Sequence, residues 1–347
     1  MKNDKSARIL IIDMLKAFAI ILVVLGHCIQ FGSGMEYLNS EQFFDNPLFK
    51  IIYTFHMPLF MLISGFLFAY SYKGKWLRCV KRRIQTLVVP MAVWALLIIL
   101  KKVIVDSGFS IDLIRECLRI VYMNFWFIWA VFWCTCLVVL VNNFFRNNIV
   151  VFCILFVISF VIPDTANMAL YKYMYPYFVV GYIFQKYLMC FLEEFLSKRH
   201  IILLLLFSLV LVYVVLLYGF NYDTYIYTSG HCVIGKDLVT QLRIDMYRYV
   251  IGLVGSIIVI IAFVQLGRII TYIPRFLLLI GTETMGIYII STFVNSNVLM
   301  PLTYNRTGVN YLVVVIEMLG VLFLSLIIIQ IINRSSTLKR LLLGKLA

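Results

Sequence analysis

Asp13, Lys16 and His27 stand inside one apolar stretch, residues 9–30, that is long enough to cross a bilayer. Ionisable groups within a lipid-spanning segment are costly and usually face protein or a watery cavity. Lys16 and His27 are eleven residues apart. On a helix that spacing puts them within about 20° of one face and about 16 Å apart along the axis. One helix therefore offers a fixed cation at one depth and a titratable imidazole at another. The cation suits an anionic group or a developing negative charge, and imidazole titrates close to neutral pH, which suits a general base. The rival reading has Lys16 reaching back to the headgroups and His27 capping the far end. Spacing alone leaves both open.

A second imidazole, His56, opens the segment FHMPLFMLISGFLF at residues 55–68. This segment enters from the opposite side, so His56 is expected at a depth similar to His27, on an adjacent helix, as base or partner. Pro58 frees a backbone carbonyl, and Ser64-Gly65 permits close helix approach; packing alone also accounts for both. Next comes a basic run, Lys73, Lys75, Arg78, Lys81, Arg82 and Arg83. Guanidinium forks match phosphate oxygens, whereas topogenic charge against anionic lipid is the plainer account. Trp126 and Trp129 fit an interfacial aromatic belt or, since aromatic faces stack on sugar rings, a carbohydrate acceptor. Glu283 and Glu317 are lone acids in apolar runs and call for partners the sequence does not identify. Asp245 and Arg248, three residues apart, are expected to pair.

These side chains must be positioned by membrane helices. The chain has 347 residues, 63% of them hydrophobic and 13% charged, about half the charged share of a soluble domain. Ten spans are predicted, at about 9–30, 49–71, 84–105, 121–142, 149–162, 173–188, 201–220, 247–266, 277–298 and 309–332, forming a single all-α polytopic domain over 1–347. Lys and Arg number 19 in the segments on the side of the termini and 7 on the other. Both termini are therefore expected to be cytoplasmic. The same asymmetry explains most of the net charge of +14, so nucleic acid is not an expected partner. The first run is too long for a signal-peptide core and reads as a retained helix. The cysteines lack metal-ligand or framework spacing and read as small buried hydrophobes, so neither a metal nor a bound cofactor is expected.

The sequence resembles the acyltransferase-3 family of integral-membrane acyltransferases, and within it the fucose 4-O-acetylase-related branch. The resemblance rests on Asp13 followed by Lys16 and His27, on FHMPLFMLISGFLF, and on the basic segment ending at Pro90. The WFIW stretch, Gly181-Tyr182 and GTETMGIYII at 281–290 also fit. Lys16 stands where the family commonly carries Arg, Thr86 where it carries the second Arg before the proline, and Ser291 where it often carries His.

The resemblance implies a multi-pass enzyme of the cell (inner or plasma) membrane that moves an acyl group, expected to be acetyl, from cytoplasmic acetyl-CoA or another acyl-CoA to a sugar hydroxyl. The acceptor is a surface polysaccharide or its lipid-linked precursor. Acyl-CoA and carbohydrate are thus the implied partners besides the bilayer. In this reading Arg78, Arg82 and Arg83 hold the donor's phosphates and Lys16 contacts the donor chain. His27 is the base, Asp13 orients Lys16 or the Arg8 region, and His56 assists. Trp126 and Trp129 would contact the acceptor. The competing readings are a polysaccharide-export permease or transporter without acyl transfer, an O-succinyltransferase, and a structural subunit of a synthase complex.

Overall fold

Packing around the first helix organises the molecule. The computed structural model describes residues 2–105, 111–188, 199–270 and 273–346, and every regular element among them is helical. Of the charged segments counted above, 106–110 and 189–198 lie outside the described residues, as does the side chain of Arg8. The main elements are α1 (Lys2–Phe31), α2 (Pro47–Ser71) and α3, which runs from Trp76–Arg83 through a π turn at Ile84–Val88 into Val89–Val105. There follow α4 (Ile111–Asn124), α5 (Trp126–Phe144), α6 (Ile149–Ser159), α7 (Met168–Ile183), α8 (Arg199–Tyr218) and α9 (Leu238–Leu266). Last come α10 (Arg275–Thr282), α11 (Thr284–Val294, continued by a π turn at Asn295–Leu299), α12 (Tyr311–Asn333) and α13 (Ser336–Leu343).

Eight of these helical segments are long and apolar enough to cross a membrane. The expected fifth and sixth spans take a different form. Residues 149–162 yield the short α6, because the chain turns at Phe160 and leaves the helix before Pro163. Residues 173–188 belong to α7, which begins earlier, at Met168, and ends in a π turn at Phe184–Leu188. The expected connection at 106–121 contains most of α4, and a break at Phe125 separates it from α5. The basic segment is likewise helix and not loop. Gly74, at φ +76°, makes the turn after α2, and Trp76 to Arg83 then present helix-forming Leu, Arg and Lys.

α1 packs against α2, α9, α10, α11 and α12. In lipid such packing rests on close contact between helices more than on the exclusion of water. The tightest crossing, α2 on α7, shows this directly. A Cβ at Gly65 would lie 1.9 Å from the Phe178 carbonyl oxygen, and one at Gly181 would lie 2.0 Å from that of Leu62. Only glycine lets the two backbones meet there. α2 starts sharply because the Asn46 side chain accepts from the Leu48 and Phe49 amides at 3.0 and 3.1 Å, with Pro47 in the first turn. α8 is mostly exposed to the surroundings and is tied in through α9 and a 2.6 Å Thr54–Tyr213 hydroxyl contact.

Candidate active site in the helix bundle

α10 fixes the start of the site. A Cβ at Gly281 would lie 2.1 Å from the Asp13 carbonyl oxygen, so α10 abuts α1 at the level of the acid. Lys16 Nζ donates to Asp13 Oδ1 at 3.0 Å, and both side chains keep about a fifth of their surface open. That open surface belongs partly to an internal cavity of about 240 Å³. Lys16 and Arg83 line it together with Ser64 from α2, Phe127 from α5 and Tyr288 from α11. The Arg83 guanidinium sits 5.5 Å from the centroid of the Phe68 ring, a cation–π placement that holds it inward. Arg78, Lys81 and Arg82, on the same helix, stay exposed. Thus one cation of the basic segment enters the bundle and meets the cation of α1.

The cavity reaches Val23, one turn before His27 on α1. His27 is partly open, but its Nδ1 is sealed and has no partner among the described residues. The ring stands edge-on to Phe31 at 5.7 Å. His56, only 3% exposed, places Nδ1 2.7 Å from the Ile52 carbonyl oxygen. A carbonyl only accepts, so Nδ1 carries the proton and Nε2 keeps its lone pair. Tyr53 packs 4.7 Å from the His56 ring. Two cations thus face one cavity, and the two imidazoles lie just beyond its Val23 and Met57 walls without lining it.

The tryptophans are placed differently. Neither Trp126 nor Trp129 lines this cavity; Phe127 between them does, packed against Phe60 at 5.5 Å and Tyr288 at 5.9 Å. The Trp129 indole nitrogen is buried without a partner among the described residues. Tyr288 donates to the Asn124 carbonyl at 2.9 Å and so joins α11 to the end of α4. It was visible in sequence as part of GTETMGIYII, but its inward orientation depends on the register of α11.

The lone acids have partners. Glu283 is bonded by Lys345, near the other end of the chain, and Glu317 by Arg306, whose guanidinium also donates to the Gly32 carbonyl at 2.9 Å. Arg306 therefore clamps the end of α1 beyond His27.

On the far side from Asp13 lies a buried network that sequence reading largely missed. Asp245 and Arg248 pair, as their spacing predicts. His231 joins them, with Nδ1 3.2 Å from Asp245 Oδ1 and Nε2 3.1 Å from Ser159 Oγ, while its ring stacks on Phe160 at 4.4 Å. This row has the connectivity of a nucleophile–base–acid triad. However, Ser159 is buried, it donates to the Phe156 carbonyl at 2.6 Å, and neither of the two main cavities includes it. Its geometry is that of a clamp. Asp164 completes the clamp, accepting from the His231 and Cys232 amides at 2.7 Å each and pairing with Lys172 at 2.6 Å. Burial pushes the Asp164 carboxyl up, but those amides and Lys172 outweigh it and hold it below the ordinary range. Burial lowers His231, with Asp245 opposing in part. The clamp borders an open polar pocket of about 580 Å³ with Lys236, Gln241 and Arg243 on its wall.

A helical bundle with eight segments long and apolar enough to cross a membrane, and with two cations facing one cavity among them, is the architecture of a multi-pass membrane protein. The family profile for Acyl_transf_3, described as an acyltransferase domain, matches residues 9–334. The chain belongs to this family. It is similar to the nodulation protein NolL of Sinorhizobium fredii, with 32% identity over 225 residues, 62% of this chain and 59% of that protein. It is also similar to NolL of Mesorhizobium japonicum, with 34% identity over 176 residues, 50% of this chain and 46% of that protein. The chain thus spans about half the length of these curated relatives. No solved structure gives a significant match.

Proposed function

We propose that the protein transfers an acetyl group from acetyl-CoA to a sugar hydroxyl on a surface polysaccharide or its lipid-linked precursor, in the cell's inner or plasma membrane. The observation that carries this reading is the cavity that takes in Lys16 and Arg83 at one end and approaches His27 at the other. The donor's phosphates rest against the basic face of α3, with Arg83 innermost and Arg78 and Arg82 at the surface. The pantetheine arm enters past Lys16, which Asp13 holds in place, and brings the thioester to the level of His27. His27 takes the proton of the acceptor hydroxyl as its oxygen attacks the thioester carbonyl. The carbon–sulfur bond then breaks, and the departing CoA sulfur takes a proton back. A positioned base of this kind contributes about 10²–10⁴-fold. His56 holds or assists the acceptor. The charge asymmetry between the two sides supports a cytoplasmic donor end.

The test uses membranes containing the protein and labelled acetyl-CoA. Label transferred to glycan, with release of free CoA, is the expected result. Transport of glycan with no CoA release would instead make the protein a permease. Parallel reactions with succinyl-CoA and longer acyl-CoAs assign the donor.

A further inference from the structure

Asn295 is 1% exposed, yet neither its amide nitrogen nor its amide oxygen has a hydrogen-bond partner among the described residues. Asn46 caps α2, Gln241 reaches Asp245 at 3.0 Å, and the Asn147 nitrogen reaches Tyr187 while its oxygen has no partner among the described residues; Asn295 lacks partners on both amide atoms. A buried polar group without a partner is disfavoured anywhere, and more so within a bilayer. Each such group calls for an explanation, and a catalytic role is one of the recognised ones.

Placement points to that role. Asn295 opens the π turn that interrupts the last membrane helix but one, and that turn packs against α1. Single π turns of this type recur at functional sites because they re-aim a side chain. α11 and α1 run side by side in the same direction. Gly281 meets Asp13 at one end, and the Thr303 hydroxyl donates to the Phe31 carbonyl at 3.1 Å at the other. Asn295 therefore lies alongside the half of α1 that carries His27. It is seven residues beyond Tyr288, which lines the cavity. Two helical turns return to the same face within about 20° and advance about 10.5 Å. Asn295 thus lies on the same side of α11 as Tyr288, beyond the residues that line the cavity and alongside the His27 half of α1.

We propose that Asn295 is a catalytic residue whose side-chain N–H donates to the acyl carbonyl oxygen as it gains negative charge. The inference rests on the acyl-transfer reading of the same site. An amide donor aimed where charge develops contributes to the rate and little to ground-state binding, and removing one such donor costs about 10²–10³-fold in kcat.

The experiment compares wild type, Asn295→Leu and Asn295→Asp, purified in detergent, for acetyl-CoA turnover and thermal unfolding. Leucine keeps the volume without polar atoms, and aspartate keeps the shape without the donor. Both variants are expected to lose about 10²–10³-fold in kcat, with KM for acetyl-CoA within about threefold of wild type. Asn295→Leu should melt at or above the wild-type temperature, because it removes an unpartnered amide. Turnover near wild type in either variant overturns the assignment. So does a lowered melting temperature or failure to fold in Asn295→Leu, which would give the amide a packing role. A wild type that neither releases CoA nor transfers label overturns the acyl-transfer reading and this inference with it. An active wild type with active variants overturns this inference alone.

Discussion

Lys16 and Asp13 form a 3.0 Å ion pair one turn apart on α1, at the wall of the cavity that also receives Arg83. The acid fixes the direction of a flexible ammonium and offsets part of the repulsion between two cations brought into one low-dielectric space. Asp13→Asn should therefore leave the protein folded and raise KM for acetyl-CoA. Lys16→Met should cost about 10–100-fold in kcat/KM, the range for a charge-assisted hydrogen bond, while Lys16→Arg retains most activity. Steady-state kinetics on the purified variants checks this. An unchanged kcat/KM in Lys16→Met would remove the lysine from the donor path.

His27→Ala is expected to lower kcat by about 10²–10⁴-fold with normal membrane insertion. His56→Ala should have a smaller effect, since its Nδ1–H is engaged by Ile52 and its role is to hold or assist. Full turnover in His27→Ala would exclude it as the base.

The basic helix divides into one inward and several outward cations. Arg83→Ala should weaken donor binding by about tenfold or more, as loss of a charged hydrogen bond does. Arg82→Ala, at an exposed position, should stay within about twofold. Competition by CoA against labelled acetyl-CoA measures both. Equal effects would mean that depth in the bundle does not matter.

The clamp on the far side carries a pH dependence. His231 has a lowered folded-state pKa, so its contribution is present above the ordinary histidine range and lost as pH falls below about 6.5. Asp164, also lowered, contributes above the ordinary carboxylate range and is lost at still more acid pH. Thermal unfolding followed from pH 8 downwards should show melting temperature falling in two stages. His231→Phe, which keeps the stack on Phe160, should make the first stage smaller. A first stage of unchanged size in this variant would place the titration at the other buried imidazoles.

Gly65→Val should disrupt the α2–α7 crossing, because a Cβ there already meets backbone. Overpacking of this sort costs about 1–3 kcal/mol or more. A melting curve at the wild-type temperature would show that the crossing can relax.

Much of this was written in the sequence because membrane physics leaves few choices. Long apolar runs must be helices, so the all-α architecture and most of its spans follow directly. An eleven-residue spacing fixes Lys16 and His27 on one face whatever surrounds them, and the three-residue spacing of Asp245 and Arg248 likewise anticipates their pair. The family is legible too, because Asp13, Lys16, His27 and FHMPLFMLISGFLF are local signals. Tertiary structure decided what these residues meet. Glu317 met Arg306 and Glu283 met Lys345 across long separations, which no periodicity encodes. Of the basic cluster, only packing against Phe68 selected Arg83 to enter the cavity. Phe127, and not its flanking tryptophans, faces inward because the break at Phe125 sets the register of α5. The π turn that begins at Asn295 leaves no mark in an apolar sequence. Sequence fixes which groups share a helix face; the crossing of helices decides which faces enclose a common space.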